Sequence, residues 1–221
     1  MSDLLPAIEI ETRPDPVHAV IWLHGLGADG NDFVPIVEEL GLPPLGIRFV
    51  FPHGPMRPVT INGGFVMRAW YDIAYQDLVM REDEAGIRQS QELVEQLIAR
   101  ERTRGVPMDN IVLAGFSQGG VIALQTGLRQ SERLAGVMSL SAYLPLTGLV
   151  EKERNAANQG IPVFLGHGTA DNIVALSLGL STRDTLLKLG YDIGWHQYPM
   201  AHSVCPMELR DIGNWLSRVL V

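Results

Sequence analysis

Short, almost continuously apolar runs alternate along this chain with longer stretches in which apolar residues recur every three or four positions. Val17-His18-Ala19-Val20-Ile21-Trp22-Leu23 is compact and apolar and ends at a glycine-rich turn, as a strand covered on both faces should. Residues 47–52 read as the next strand, stopped by Pro52, and residues 111–114 as another; 135–140, 161–165 and 193–198 complete the set. Helical periodicity predicts a short helix capped by Asn31-Asp32 and running to about Leu40. A longer helix is predicted over 83–104, with Ile87, Val94, Leu97 and Ile98 on one face, closed by Gly105-Val106-Pro107. Further helices are predicted at 118–128, 176–189 and 207–220. Residues 53–64 carry prolines and glycines and read as a loop leading into the aromatic segment 65–71. Repeated strand–helix alternation implies an α/β architecture, a mostly parallel central sheet with helices on both faces. No repeat or linker interrupts it, so residues 1–221 are expected to form one domain.

Composition narrows the function classes. Seventeen Lys and Arg against 25 Asp and Glu leave a formal charge of −8, which argues against a nucleic-acid binder whose affinity rests on a basic face. Cys205 is the only cysteine, so no intramolecular disulfide is expected. The start, Met1 to Pro6, lacks the basic and apolar regions of a secretory signal, and no apolar run of about 18 residues offers a membrane span. A cytoplasmic protein without stable membrane insertion is the expectation.

Gly115-Phe116-Ser117-Gln118-Gly119 has the form G-x-S-x-G between a predicted strand and a predicted helix. The chemistry demands a sharp turn that lifts the serine oxygen above the sheet edge, with small residues where the chain passes close to its neighbours. Taken alone, the pentapeptide could equally be a glycine-rich helix start with Ser117 as its cap. A serine hydroxyl is a weak nucleophile, so a base and an oxyanion site must also be found.

Where such a turn is catalytic in a parallel sheet, the acid and then the histidine follow the serine in chain order. His196 lies within a strand and His167 closes one, which suits structural roles, whereas His202 lies on the loop between the last strand and the last helix. His202 is therefore the expected base. Asp171, on the loop after 161–165, is the expected acid; Asp184 falls within a helix and Asp192 at the wrong end of a strand. The backbone N–H of Gln118 should supply one oxyanion donor and that of Leu26, in His24-Gly25-Leu26-Gly27, the second. His24 is better read as shaping that turn.

In combination, Ile21 to Gly27, Gly115 to Gly120, His167-Gly168 through Asp171, and Tyr198 to His202 resemble the acyl-protein thioesterase and small carboxylesterase family, the phospholipase/carboxylesterase family of α/β-hydrolases. Thr60 to Gly64 and Trp70-Tyr71-Asp72 share in the likeness, which runs in order over nearly the whole chain. The resemblance implies an α/β-hydrolase fold with no large cap domain, no cofactor and no metal. It implies action on small-molecule acyl esters or thioesters with short to medium chains, through an acyl-serine. Some relatives act on acylated proteins or lysophospholipids and some form homodimers. The segment 65–73 would line the acyl site, with Phe65, Met67, Trp70 and Ile73 as its apolar members. The family pattern has glycine before the base histidine and often glutamate after it; here Ala201 and Ser203 stand in those places.

Three rivals stand beside this reading: a silent ligand-binding member of the fold, a metal-dependent hydrolase, and a cysteine hydrolase using Cys205. The filled triad positions count against the first, the absence of a recognised ligand spacing such as H-E-x-x-H against the second, and the lack of a nucleophile turn at Cys205 against the third. Cys205 is expected to be a small buried residue.

Overall fold

The computed structural model describes residues 4–74 and 82–221; Met1 to Asp3, on which part of the amino-terminal reading rests, lie outside the described residues. In chain order the elements are β1 (Ala7–Glu11), β2 (His18–Leu23), α1 (Ile36–Glu39), β3 (Ile47–Pro52), β4 (Met56–Val59), β5 (Phe65–Arg68), α2 (Glu84–Thr103), β6 (Ile111–Phe116), α3 (Gln118–Gly127), β7 (Gly136–Leu140), α4 (Thr147–Glu153), β8 (Pro162–Gly168), α5 (Leu176–Lys188), β9 (Asp192–Tyr198) and α6 (Pro206–Val219). Seven strands form one sheet in the order β1-β3-β2-β6-β7-β8-β9. All neighbours are parallel except the edge pair β1–β3. Among the described residues no large cap covers it.

The two faces of the sheet are separate cores, and strand alternation feeds them in turn. In β2, Ala19, Ile21 and Leu23 point to one core with α2, α3 and α5, while Val20 and Trp22 point to the other with α6. The predicted face of α2 (Ile87, Val94, Leu97, Ile98) is buried as a unit, with Asp83 capping the helix by accepting from the Gly86 N–H. Glu101, on the same helix, is buried within a cluster of Arg48, Arg100 and Arg104, so its charge is matched.

Helix α4 is not among the predicted elements, and three further departures from the pattern have local causes. Ala7–Glu11 is a strand that the run-length criterion passes over, because a half-exposed antiparallel edge strand shows as the alternation Ile8-Glu9-Ile10-Glu11. The helix predicted from Asn31 shrinks to Ile36–Glu39, with Pro35 at its N-cap. Instead of capping a helix, Asn31 turns back on Asp29, whose Oδ1 accepts from its N–H at 2.8 Å. Within 53–73 the chain forms an antiparallel hairpin, β4–β5, where the sequence suggests only a loop.

Candidate active site

The carboxyl ends of β2, β6, β7 and β8 converge on one cavity. Between β6 and α3 the chain turns so sharply that Ser117 adopts φ 53° and ψ −121°, outside the ordinary regions for an L-residue. The flanking glycines explain how this turn is packed: a Cβ at Gly115 would overlap the Gly119 backbone, and one at Gly119 would overlap the Leu23 carbonyl. The Ser117 N–H donates to the Leu140 carbonyl at 2.8 Å, fixing the turn to the end of β7.

His202 Nε2 lies 2.9 Å from Ser117 Oγ, and His202 Nδ1 lies 2.7 Å from Asp171 Oδ2. The Asp171 side chain is fully shielded from solvent. Its other oxygen, Oδ1, accepts from the N–H groups of Ile173 and Val174, each at 2.9 Å, so the turn that opens towards α5 also aims the carboxylate at the imidazole. Ala201 adopts no left-handed conformation, and the loop carries alanine there without backbone strain.

The three candidate residues thus form a continuous hydrogen-bonded line. The other histidines are not members of this line, although His167 Nε2 lies 3.6 Å from Asp171 Oδ2. His24 is 1% exposed; its Nδ1–H donates to the Gly25 carbonyl and its Nε2 accepts from the Gly54 N–H, so both nitrogens are committed. Burial lowers its pKa and keeps it neutral. His167 bonds the Val174 carbonyl through Nε2, holding the Asp171 turn in place. His196 stacks on Phe164. Cys205 is half-buried just before α6, more open than expected for a small core residue.

Leu26 and Gln118 both line the cavity beside Ser117. The Gln118 side chain ties together the segment behind them: its Oε1 accepts from the Trp70 N–H and its Nε2 donates to the Tyr71 carbonyl. The Trp70 indole N–H donates to the His24 carbonyl at 2.8 Å, and Ser90 Oγ donates to the Trp70 carbonyl.

Of the four residues expected to line an acyl site, only Ile73 lines the cavity beside Ser117. Trp70 is fully buried beneath the 24–27 loop, because its indole N–H needs an acceptor and finds the His24 carbonyl there. Phe65 is 74% exposed on the outer hairpin, and Met67 packs at Gly27, away from the cavity lining. The cavity, about 360 Å³, is instead walled by Tyr71, Tyr143, Phe116, Ile173 and Val174 together with Ile73. Tyr143 follows β7, and the carboxyl ends of parallel strands are where ligands bind in such sheets, a signal that could have nominated it from sequence.

A parallel sheet bearing a strained serine turn, with an imidazole and a carboxylate lined up behind the serine oxygen, defines the α/β-hydrolase class. A family model described as Phospholipase/Carboxylesterase matches residues 6–220, and the chain belongs to that family. It is 40% identical over 229 residues to acyl-protein thioesterase 1 of Neurospora crassa, covering 98% of this chain and 91% of that one. Identity to acyl-protein thioesterase 1 of Yarrowia lipolytica is 37% over 217 residues, 96% of each chain. The crystal structure of Arabidopsis thaliana SOBER1 matches with a TM-score of 0.86 at 29% identity, covering 92% of this chain and 99% of that one. Zea mays acyl-protein thioesterase 2 matches with a TM-score of 0.83 at 27% identity, covering 98% and 100%. Among the described residues no helix is long and apolar enough to cross a membrane.

Proposed function

We propose that this protein hydrolyses carboxylic esters of short to medium acyl chain, with Ser117 as nucleophile, His202 as general base and Asp171 as the group that orients and stabilises the imidazole. The observation that carries the reading is the unbroken contact from Ser117 Oγ through His202 to Asp171, at 2.9 and 2.7 Å. In the first step Ser117 Oγ attacks the carbonyl carbon while His202 Nε2 takes its proton. The N–H groups of Leu26 and Gln118 receive the oxyanion; Gln118 opens α3, where unsatisfied amides and the helix dipole favour negative charge. Collapse expels the alcohol, which takes its proton from the His202 imidazolium. Water then attacks the acyl-serine by the same route in reverse, with His202 again as base.

An acyl-thioester reading of the same site, with an acylated protein as substrate, is favoured by the relatives named acyl-protein thioesterases. Ester, thioester and lysophospholipid all pass through the same acyl-serine, so the triad serves each. A cytoplasmic setting accords with the single cysteine. The homodimer suggested by family resemblance is open to sedimentation velocity.

Labelling by a fluorophosphonate probe, read by mass spectrometry, tests the proposal. Modification of Ser117 together with hydrolysis of p-nitrophenyl esters supports it. No labelling of Ser117 would overturn it.

A further inference from the structure

The backbone N–H groups of Leu26 and Gln118 have no acceptor among the described residues, and both residues line the cavity beside Ser117. They belong to separate parts of the chain: Gln118 opens α3, whereas Leu26 lies on the loop after β2. Two donors meant for one oxygen need a fixed spacing. Against the nucleophile turn, the loop makes only a packing contact: a Cβ on Gly25 would meet the Phe116 ring at 3.3 Å.

Hydrogen bonds reach the loop from residues 68–71 behind it, one on each side of Leu26. The Trp70 indole N–H donates to the His24 carbonyl at 2.8 Å, and the Arg68 carbonyl accepts from the Gly27 N–H at 2.9 Å. The Gln118 side chain fastens that segment to the start of α3. Its Oε1 accepts from the Trp70 N–H at 3.0 Å and its Nε2 donates to the Tyr71 carbonyl at 2.9 Å. All three residues are buried, so bulk water does not replace either bond. A neutral amide suits the place because it carries an acceptor and a donor on one stem; an ionised carboxylate only accepts and an ammonium only donates. Support of this kind matters most at an oxyanion site, whose donors must already stand where the charge will develop.

We infer that the Gln118 side chain is a positioning group, which sets the Leu26 N–H against the Gln118 N–H through Trp70 and the 24–27 loop. The inference rests on the proposed hydrolase reading of Ser117 and its two oxyanion donors. The amide acts through the backbone groups it holds.

The test measures kcat and KM for p-nitrophenyl butyrate, and Ki for an alkyl trifluoromethyl ketone, in wild type, Gln118→Met and Leu216→Ala. Ser117 Oγ adds to the ketone carbonyl, and the resulting alkoxide occupies the oxyanion site as the intermediate of the reaction does. Methionine is unbranched like glutamine and makes neither bond. It should lower kcat about a hundredfold, raise Ki by a similar factor and leave KM within about twofold. Leu216→Ala truncates a buried residue in the opposite core, lowers stability there and should keep kcat near wild type. A kcat for Gln118→Met no lower than that of Leu216→Ala overturns the inference. So does a loss carried by KM with Ki unchanged. Gln118→Asn keeps the amide but draws it back by one methylene, and is read in the same way should the methionine variant not fold. Fluorophosphonate labelling of wild type separates the two failures: labelled, active wild type beside unimpaired Gln118 variants sinks the positioning inference alone. Wild type that neither labels nor hydrolyses sinks both.

Discussion

The nucleophile turn and the β4–β5 hairpin press on the same short loop, residues 24–27, from different sides. From the turn, Gly119 abuts the Leu23 carbonyl and Gly25 lies against Phe116 and Ser117. From the hairpin side, the Gly27 N–H donates to the Arg68 carbonyl and Trp70 Nε1 donates to the His24 carbonyl. The turn achieves its contacts through the absence of side chains, so its function shows in the residue types themselves. The hairpin region achieves them through backbone pairing and one buried indole, while Phe65 and Val66 beside it stand 74% and 61% exposed. An apolar residue can be bound for a pocket, the core or solvent, and only its neighbours decide which.

The comparison breaks most sharply at the turn. Ser117→Ala should remove hydrolysis by about six orders of magnitude in kcat, the scale seen when a serine hydrolase loses its nucleophile. It should leave thermal unfolding nearly unchanged. Asp171→Asn should cost about four orders, because the imidazole loses its orienting acceptor. Retained activity in Ser117→Ala material freed of other esterases would end the nucleophile assignment.

Next in size is the backbone contact. Gly119→Ala forces a methyl group into the Leu23 carbonyl and should destabilise the fold by about 3 kcal/mol, a fall in Tm of roughly 10 °C. A variant melting with wild type would show that the close approach has slack.

The hairpin side gives smaller and divergent effects. Trp70→Phe leaves the buried His24 carbonyl without its donor and should cost about 1–3 kcal/mol, with lowered kcat as the 24–27 loop shifts. Phe65→Ala should change stability by no more than about 0.5 kcal/mol. Equal losses from the two substitutions, measured by denaturant unfolding, would contradict the placement of both.

At the opposite core a pH dependence is expected. Glu208 on α6 is fully buried against Gly166, and neither carboxyl oxygen has a hydrogen-bond partner among the described residues. Burial, with Asp211 nearby, pushes its pKa up to about 8. The folded state thus holds a proton that the unfolded chain releases above the ordinary value of 4.5. This contribution to stability is complete below that value and is lost as pH rises towards 8. Between pH 5 and 8.5 the Tm of wild type should fall by about 10 °C more than that of Glu208→Gln. Parallel pH curves for the two proteins would refute the assignment.

Much of the fold is legible because the period of apolar positions reports burial directly. The alternate residues of β2 do divide between the two cores, and the predicted face of α2 is buried. Hydrogen bonding of a more local kind is what misleads at Asn31, which turns onto Asp29 and starts no helix. The Ile-Glu alternation of β1 was readable as a half-exposed strand, given a period-two search in place of a search for continuous apolar runs.

Sequence by itself indicated the family, the alternation of the central strands with helices, and which serine, aspartate and histidine to propose as partners. These follow from local spacing: a glycine-flanked serine after a strand, and loop residues at the carboxyl ends of later strands. Tertiary structure alone decided the direction of long side chains. Only there does Trp70 find an acceptor beneath the 24–27 loop, and only there do Tyr71 and Tyr143, remote in the chain, share one polar contact in the cavity wall. A backbone constraint is written in the residues that obey it, whereas a side chain's surroundings are made by the rest of the chain.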